Sequence, residues 1–446
     1  MQPVTYQELN HVTTPMMNAI SNNLLSSVSV NTSHITNNPY LFNHVTTPSL
    51  PITDQKSSGR CWLFATMNLL RVAAHQTFKS SFNTEIDKLE FSQSYVFFWD
   101  KFHRYQMNLN YYLEILEEDN SAEYLRTFFN DPMGDGGQWD MAKAVVLQYG
   151  VVPKEVFPDS FHARNTRGMN HILTNQLKND CIELKNVSPA SRNELVKSMT
   201  QRVYTMLVSF LGNPPKPDQV FSWTFEGKVD GKKKVTTWEN MTPMSLLERT
   251  GFKPNDYVSV INDPRENNPY MQRYVIKYLG NMENRGVGWI NLPINRMKEL
   301  SKNSIKDNVP VWFGCDVGNN WDKNSGVHHP GIQDFSNVIG LNIVTLDKAK
   351  RLETFASLPN HAMVINGLFE NNGNVKRWQI ENSWGTKSGS NGHLLMTDEW
   401  YSEYVFQIVV RKDFLSEAER TVLNSEPNVI EPWDPFRFAS FSMNCL

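Results

Sequence analysis

The chain has 446 residues, of which 40% are apolar and 20% charged, enough to bury the core of one large domain. Its 43 basic and 46 acidic residues give a net charge of −3 and are spread along the sequence, so neither a nucleic acid nor a membrane surface is a required partner. No run of about 18 apolar residues and no basic, apolar leader occurs, which predicts a soluble cytoplasmic protein without membrane contact.

The first two-fifths of the chain carry helical patterns. Residues 1–50, rich in Asn, Ser and Thr, predict a partly helical or extended lead-in. The apolar spacing of CWLFATMNLLRVAAH then predicts a buried helix that begins at or just after Cys61. Two more helices are predicted over 92–118 and 138–150. Residues 51–160 therefore form a mainly helical part that contains Cys61.

Strand signals dominate later in the chain. Residues 160–300 combine helical segments with a hairpin whose predicted turn is Asp230-Gly231. Residues 301–425 are rich in β-branched and aromatic runs, and residues 426–446 form a C-terminal arm. Helices first and strands last predict an α+β fold.

The segment QKSSGRCWLFAT contains a candidate nucleophile. A cysteine at a helix N-terminus has a lowered pKa, and Gly59 permits a tight turn before Cys61. Gln55, six residues upstream of Cys61, can present its amide to an oxyanion beside the Cys61 backbone N–H. The alternative is that Cys61 is an ordinary buried thiol, since free cysteine is among the most buried residue types.

A histidine and an asparagine stand at the ends of two predicted strands. His361 opens the strand HAMVINGLF, and Asn382 follows 21 residues later, after a hairpin turn at Asn372-Gly373. Pairing of these strands would let the Asn382 amide oxygen accept the His361 N–H and fix the ring, with Trp384 shielding the bond. The alternative is a core histidine and a turn asparagine.

The remaining candidates favour structural roles. The four cysteines lie far apart in sequence and form no CxxC pair, which predicts reduced thiols, with Cys181 and Cys315 packed in the core. His328 and His329 lie in a loop whose spacing fits no common ligand pattern, so no metal is expected. The three lysines 232–234 at the hairpin tip predict a solvated turn, with nucleic-acid contact as the alternative.

The sequence blocks QKSSGRCW, HAM at 361–363 and ENSWG at 381–385 occur in the order cysteine, histidine, asparagine. Together with PITDQKSSGRCW, GDGGQWDMAKAVVLQYGVVPKEVFP, PVWFGCDVG and EPWDP, they resemble the bleomycin hydrolase and aminopeptidase C family of papain-like cysteine peptidases. The resemblance runs from about residue 5 to the end of the chain.

The resemblance implies a fold and a set of site residues. It implies one papain-like peptidase unit over 1–446, with a helical part, an antiparallel β-barrel part and large insertions. By the resemblance, Cys61 is the nucleophile, His361 the general base and acid, Asn382 the orienting residue and Gln55 an oxyanion donor. The glycines 136 and 137 would offer a backbone edge to an extended peptide substrate, and Trp384 would also line the substrate site. No metal or organic cofactor is implied.

The resemblance further implies a cytosolic homohexamer that removes N-terminal residues from peptides through a thioester, with bleomycin-hydrolase-type amidase activity. In the family the terminal carboxylate, here that of Leu446, lies in the cleft and meets the substrate amine. This chain continues for eleven residues after Pro435, about five more than the family pattern. The longer arm leaves open an endopeptidase or carboxypeptidase-like activity, and a nucleic-acid-binding ring is the alternative from another class.

Overall fold

Helices form most of the first half of the chain and strands most of the second half. The structure, a computed structural model, describes residues 13–119, 121–283 and 286–440. The helices are α1 (Thr14–Asn22), α2 (Leu25–Val28), α3 (Thr32–Thr36), α4 (Cys61–Phe82), α5 (Gln93–Glu114), α6 (Ala122–Asn130), α7 (Trp139–Tyr149), α8 (Phe161–Arg164), α9 (Arg167–Asn186), α10 (Pro189–Leu211), α11 (Pro243–Arg249), α12 (Ile294–Lys306), α13 (Phe335–Ile339), α14 (Lys348–Glu353), α15 (Asp398–Tyr404) and α16 (Glu417–Leu423).

The strands form one large sheet and one small sheet. They are β1 (His44–Val45), β2 (Thr84–Glu85), β3 (Phe221–Val229), β4 (Lys232–Met241), β5 (Tyr257–Ile261), β6 (Gln272–Ile276), β7 (Gly288–Asn291), β8 (Val311–Cys315), β9 (Trp321–Asp322), β10 (Val327–His328), β11 (His361–Asn371), β12 (Asn374–Glu381), β13 (His393–Thr397), β14 (Val405–Arg411) and β15 (Asn428–Ile430).

The large sheet has the strand order β15-β6-β7-β5-β14-β8-β11-β12-β13-β10-β9, with β1 paired to β11. The run from β5 through β13 is antiparallel, which matches the antiparallel part that the resemblance implies. The pairs β5–β7, β6–β15 and β10–β13 are parallel, so the whole sheet is mixed. Helices packed with a mixed sheet confirm the α+β class.

Alternating side chains of the central strands divide the core into two layers. Trp312, Val364 and Val409 face one layer, which they share with α4, α5 and α7. Their neighbours Phe313 and Ile365 face the other layer, against α12 and α15. Successive side chains along a strand point to opposite faces of the sheet, so a sheet buried on both faces has apolar residues in both layers. Helix α4, which begins at Cys61, is thereby pressed against β8 and β11.

The predicted helix starts and turns agree with the structure. Helix α4 begins at Cys61, and α5 begins after Ser92, whose hydroxyl accepts the Tyr95 N–H at 3.1 Å. The hairpin turn Asp230-Gly231 has φ values of 52° and 75°, and the turn Asn372-Gly373 has 49° and 80°. Both residues of such a turn lie in the left-handed region, which is why Asn-Gly and Asp-Gly mark hairpins.

The segment 160–300 does more than add helices and the β3–β4 hairpin. It also contributes β5, β6 and β7 to the large sheet, where β5 pairs with β14. Within the lead-in, described from residue 13, β1 pairs with β11 and Asn31 donates its N–H to the Ile332 carbonyl at 2.9 Å. In the described part of the chain, no helix combines the length and apolar character needed to cross a bilayer.

Candidate active site

Cys61 is the first residue of α4 and is a reduced, partly exposed thiol. The helix N-terminus carries partial positive charge from its backbone N–H groups, which stabilises a thiolate. The buried guanidinium of Arg60 fixes the helix start, since it forms an ion pair with Asp159 at 3.0 Å and donates to the Ser94 hydroxyl at 2.9 Å. Partial exposure makes Cys61 accessible to a substrate, unlike Cys181 and Cys315, which are fully buried.

His361 and Asn382 are joined as predicted. His361 Nε2 and Asn382 Oδ1 lie 2.9 Å apart, and the Ser383 N–H donates to the same oxygen at 2.8 Å. Because an amide oxygen only accepts, Nε2 carries the hydrogen of the neutral ring. The lone pair then lies on Nδ1, the nitrogen available to accept a thiol proton.

Trp384 covers this histidine. Its ring stacks on the His361 ring with centroids 4.7 Å apart and an angle of 27° between the planes. Burial lowers the pKa of His361 to about 4, against the opposite effect of the Asn382 hydrogen bond. The imidazole is therefore neutral at physiological pH, which is the form that can act as a base.

Contacts between α4 and β8 place the start of α4 beside the strand end that carries His361. The Trp312 indole N–H of β8 donates to the Trp62 carbonyl, one residue after Cys61, at 3.2 Å. Cys315 lies opposite His361 in the β8–β11 register. Burial raises the pKa of the Cys315 thiol, with Asp316 and then Cys61 acting in the same direction, which agrees with the packing of α4 on β8 and β11.

Gln55 is held by the segment that carries Asn382. The Gln55 N–H donates to the Ser383 carbonyl at 2.8 Å, and the Ser383 hydroxyl donates to Gln55 Oε1 at 2.7 Å. The Gln55 amide nitrogen donates to the Ser58 carbonyl at 2.6 Å. A primary amide has two N–H groups, so one donor remains after the Ser58 bond.

The glycine pair lies beside the same helix start. Both Gly136 and Gly137 are buried. A Cβ atom on Gly137 would lie 2.5 Å from Cε2 of Trp62, so only glycine allows this close approach. The Gly136 carbonyl accepts from Arg104 Nη1 at 2.8 Å. The structure thus places Gly137 against the residue that follows Cys61, with Gly136 directly before it in the chain.

Asp135 links the glycine segment to the cysteine segment. Its carboxylate accepts the Gly59 N–H at 2.9 Å and forms an ion pair with the buried Lys101 at 3.1 Å. Burial would raise the pKa of Asp135, but the Lys101 ammonium and the hydrogen bonds from Thr166, Asn170 and Gly59 outweigh it and lower the pKa. An ionised Asp135 therefore joins the two segments.

Sequence reasoning did not identify Ser383 or Asp135 as residues of the site. Ser383 lies within the block ENSWG, but its partner Gln55 is 328 positions away. Asp135 precedes the glycine pair, and the Gly59 N–H is 76 positions away. The only available signal was that each residue stands next to a predicted site residue.

Other sequence candidates lie elsewhere. Buried His328 stacks on Trp321 with centroids 5.3 Å apart, and His329 stacks on His34 at 3.7 Å. At the hairpin tip, Lys233 forms an ion pair with Glu226 at 2.7 Å. Leu446, the predicted end of the arm, lies outside the described residues.

The root of the C-terminal arm lies near the glycine pair. The Phe436 carbonyl accepts from Gln138 Nε2 at 3.2 Å, and Gln138 directly follows Gly137. Asp434 forms an ion pair with Arg265 at 2.9 Å, which anchors the arm just before this contact. A 3₁₀-helix then covers Pro435–Ser440.

Comparisons with known proteins identify the family of the chain. The model of the Peptidase C1-like family matches residues 6–437. Bleomycin hydrolase of Gallus gallus is 38% identical over 399 residues, which cover 86% of this chain and 85% of that protein. Aminopeptidase C of Lactococcus lactis subsp. cremoris is 38% identical over 430 residues, covering 94% and 93%.

A solved structure gives the same result. The crystal structure of pepw from Lactobacillus rhamnosis HN001 superposes with a TM-score of 0.89 at 31% identity, covering 95% of this chain and 94% of that one. With a family match over nearly the whole sequence, the chain belongs to the Peptidase C1-like family.

Proposed function

We propose that this chain is a cysteine aminopeptidase that removes N-terminal residues from peptides. The observation that carries the proposal is the 2.9 Å contact between His361 and Asn382 at the strand end against which the Cys61 helix packs. The relatives named aminopeptidase C and bleomycin hydrolase support the same activity. The latter relative extends the proposal to a bleomycin-hydrolase-type amidase activity.

The proposed chemistry follows from the three side chains. The Cys61 sulfur attacks the scissile carbonyl carbon, and the thiol proton passes to Nδ1 of His361. The Cys61 backbone N–H and the Gln55 amide hold the resulting oxyanion. Collapse breaks the C–N bond as His361 gives its proton to the leaving amine, which leaves a thioester on Cys61.

Hydrolysis of the thioester completes the cycle. His361 takes a proton from a water molecule, whose oxygen attacks the thioester carbonyl. Collapse of this second intermediate releases the carboxylic acid, and His361 returns the proton to the Cys61 sulfur. In this scheme Asn382 keeps the imidazole in one tautomer and orientation throughout.

The proposed exopeptidase restriction rests on the arm. Phe436 is anchored beside Gly137, which contacts Trp62, the residue after Cys61. The six residues after the 3₁₀-helix, 441–446, can span roughly 20 Å when extended, which gives the arm reach toward the cleft. The terminal carboxylate of Leu446 would there pair with the substrate ammonium and block the space beyond it. The glycines 136 and 137 would line the opposite side of the bound peptide.

We also propose that the protein is a cytoplasmic homohexamer. The buried, reduced thiols Cys181 and Cys315 suit a cytoplasmic protein. The resemblance described above favours a homohexamer built from papain-like units. Light scattering on the purified chain would test this assembly, and a mass other than six chains would contradict it.

Hydrolysis of an aminoacyl arylamide tests the proposed nucleophile. The unmodified chain should release the aryl amine and lose activity when Cys61 is alkylated with iodoacetamide. The variant Cys61→Ala should be inactive. The control variant Cys181→Ala removes a buried thiol outside the site and should remain active. Retained activity in Cys61→Ala would overturn the proposal.

A further inference from the structure

A second concave site lies where strands β5 and β7 separate. The two strands pair only at Val260–Ile290 and Ile261–Asn291. Before these pairs the strands diverge, and a cleft of about 350 Å³ opens between them. Helices α7 and α16 and the chain after β14 complete its walls. This volume is in the range of small-molecule sites.

Four cations from four different elements line this cleft. They are Lys143 of α7, Arg273 of β6, Lys412 after β14 and Arg420 of α16. The lining contains one carboxyl group, that of Asp140. A surface with four cations and one acid is strongly electropositive.

These cations are not neutralised by the protein. An ion pair requires a nitrogen and a carboxylate oxygen within 4.0 Å of each other. In the three described ranges, no carboxylate oxygen lies this close to a side-chain nitrogen of these four residues. Arg411, the neighbour of Lys412, shows the contrast, since it forms an ion pair with Asp307 at 3.1 Å. The charge of the cleft is therefore available to a ligand.

The two arginines are held in place by backbone carbonyls. Arg273 Nη1 donates to the Ser425 carbonyl at 3.0 Å, and Arg420 Nη1 donates to the Leu415 carbonyl at 2.6 Å. Each guanidinium keeps further N–H donors for other partners. Positioned guanidinium groups match the oxygens of a phosphate, and fixing them in advance lowers the entropic cost of binding.

The electrostatics of the side chains favour a bound anion. Burial lowers the pKa of Lys143, Asp140 opposes this effect, and the nearby Lys412 lowers the pKa further. Burial also raises the pKa of Asp140 to about 6, even though Lys143 and Arg273 act against it. Lys143 and Lys412 thus repel each other, and an anion between them would relieve that repulsion.

We propose that this cleft binds a small ligand with a diphosphate-type group, held by Lys143, Arg273, Lys412 and Arg420. Four cations favour several ligand charges over one, and a cleft volume of about 350 Å³ favours a small molecule over a polymer. The site is separate from Cys61 and does not depend on the proposed peptidase activity.

Isothermal titration of the full chain with inorganic pyrophosphate at low salt tests the proposal. The unmodified chain should bind one pyrophosphate per chain, and Lys143→Gln/Lys412→Gln should weaken binding by at least about tenfold, because two charge-assisted contacts are lost. The matched control Lys232→Gln/Lys234→Gln changes the net charge equally at the hairpin tip and should alter affinity less than about twofold.

A third variant is expected to raise the affinity for pyrophosphate, which a nonspecific loss of structure could not do. Asp140→Asn removes the one negative charge of the lining and should tighten pyrophosphate binding about threefold or more at pH 8. Absence of saturable binding to the unmodified chain, or equal weakening in both double variants, would overturn the proposal. If citrate bound as tightly as pyrophosphate, the assignment of a phosphate ligand would be wrong. If an oligonucleotide bound and pyrophosphate did not, the assignment of a small ligand would be wrong.

Discussion

At the scale of single residues, the hydrogen bond between His361 and Asn382 fixes the reactive ring. Replacing Asn382 with Ala removes the acceptor, so the imidazole can rotate out of line with the Cys61 sulfur. We expect kcat to fall about 10- to 100-fold with a smaller change in KM, because misplacement by about 1 Å has this effect. Steady-state kinetics on an aminoacyl arylamide would measure it.

The hairpin offers a control for this variant. Asn371 is exposed at the far end of the same two strands, and Asn371→Ala should leave kcat unchanged. A kcat for Asn382→Ala equal to that of Asn371→Ala would show that the hydrogen bond does not position the base.

Buried histidines predict a pH dependence of stability. Burial lowers the pKa of His328 from 6.5 to about 4. The unfolded chain therefore binds more protons than the folded chain between these values, so stability present at pH 7 is lost as the pH falls through this window. From pH 7 to pH 5, His328 alone should lower the free energy of unfolding by about 2 kcal/mol.

Chemical denaturation at the two pH values would measure this effect. In His328→Gln the loss of stability from pH 7 to pH 5 should be smaller than in the unmodified chain by this amount. His171→Gln, which replaces an exposed histidine of α9, should behave like the unmodified chain. An unchanged pH dependence in His328→Gln would contradict the prediction.

The sequence identifies some residues of the site and not others for a physical reason. Cys61, His361 and Asn382 each stand at a helix start or a strand end, and such positions leave local signals. Ser383 and Asp135 act through contacts between distant parts of the chain, which no local periodicity encodes. The hydrogen bond from the Ser383 hydroxyl to the Gln55 amide is seen only in the folded structure.

At the scale of elements, the close packing of Gly137 on α4 predicts a specific cost of substitution. In Gly137→Ala the added methyl group would overlap the Trp62 indole, so the segment must shift. We expect a loss of about 1–3 kcal/mol in the free energy of unfolding, the usual cost of overpacking, together with reduced activity. Denaturant titration would measure the stability.

A helical glycine provides the comparison. Gly168 is exposed on α9, and a Cβ atom there would meet nothing within 4 Å. Gly168→Ala should therefore raise stability by up to about 1 kcal/mol through higher helix propensity. If Gly137→Ala and Gly168→Ala changed the free energy of unfolding equally, the close contact between Gly137 and Trp62 would be contradicted.

Elements with strong local signals were predictable from the sequence. The helix from Cys61 and the two hairpins were found because apolar spacing and Asp-Gly or Asn-Gly turns identify them. Strand β5 was not found, because YVSVI is a short, fully buried run that shows no alternation. The pairing of β5 with β14 is likewise a long-range contact that the sequence does not reveal.

At the scale of the whole molecule, the arm is proposed to convert a general peptidase cleft into an aminopeptidase. The family match ends at residue 437, and the nine residues after it are those proposed to occupy the cleft. A chain ending at Arg437 keeps the anchors Asp434 and Phe436 but lacks the terminal carboxylate at its proposed position. It should cleave internal bonds of a peptide, which mass spectrometry of the products would show. Unchanged products would contradict the role of the arm.

Cleavage of one peptide with a free and with a blocked N-terminus tests the proposed coupling of the active site to the arm. The full-length protein is given one peptide in two forms, with a free and with an acetylated N-terminus, and the products are followed by mass spectrometry. We expect stepwise loss of single N-terminal residues from the free peptide and no cleavage of the acetylated one. Equal cleavage of both forms would contradict it.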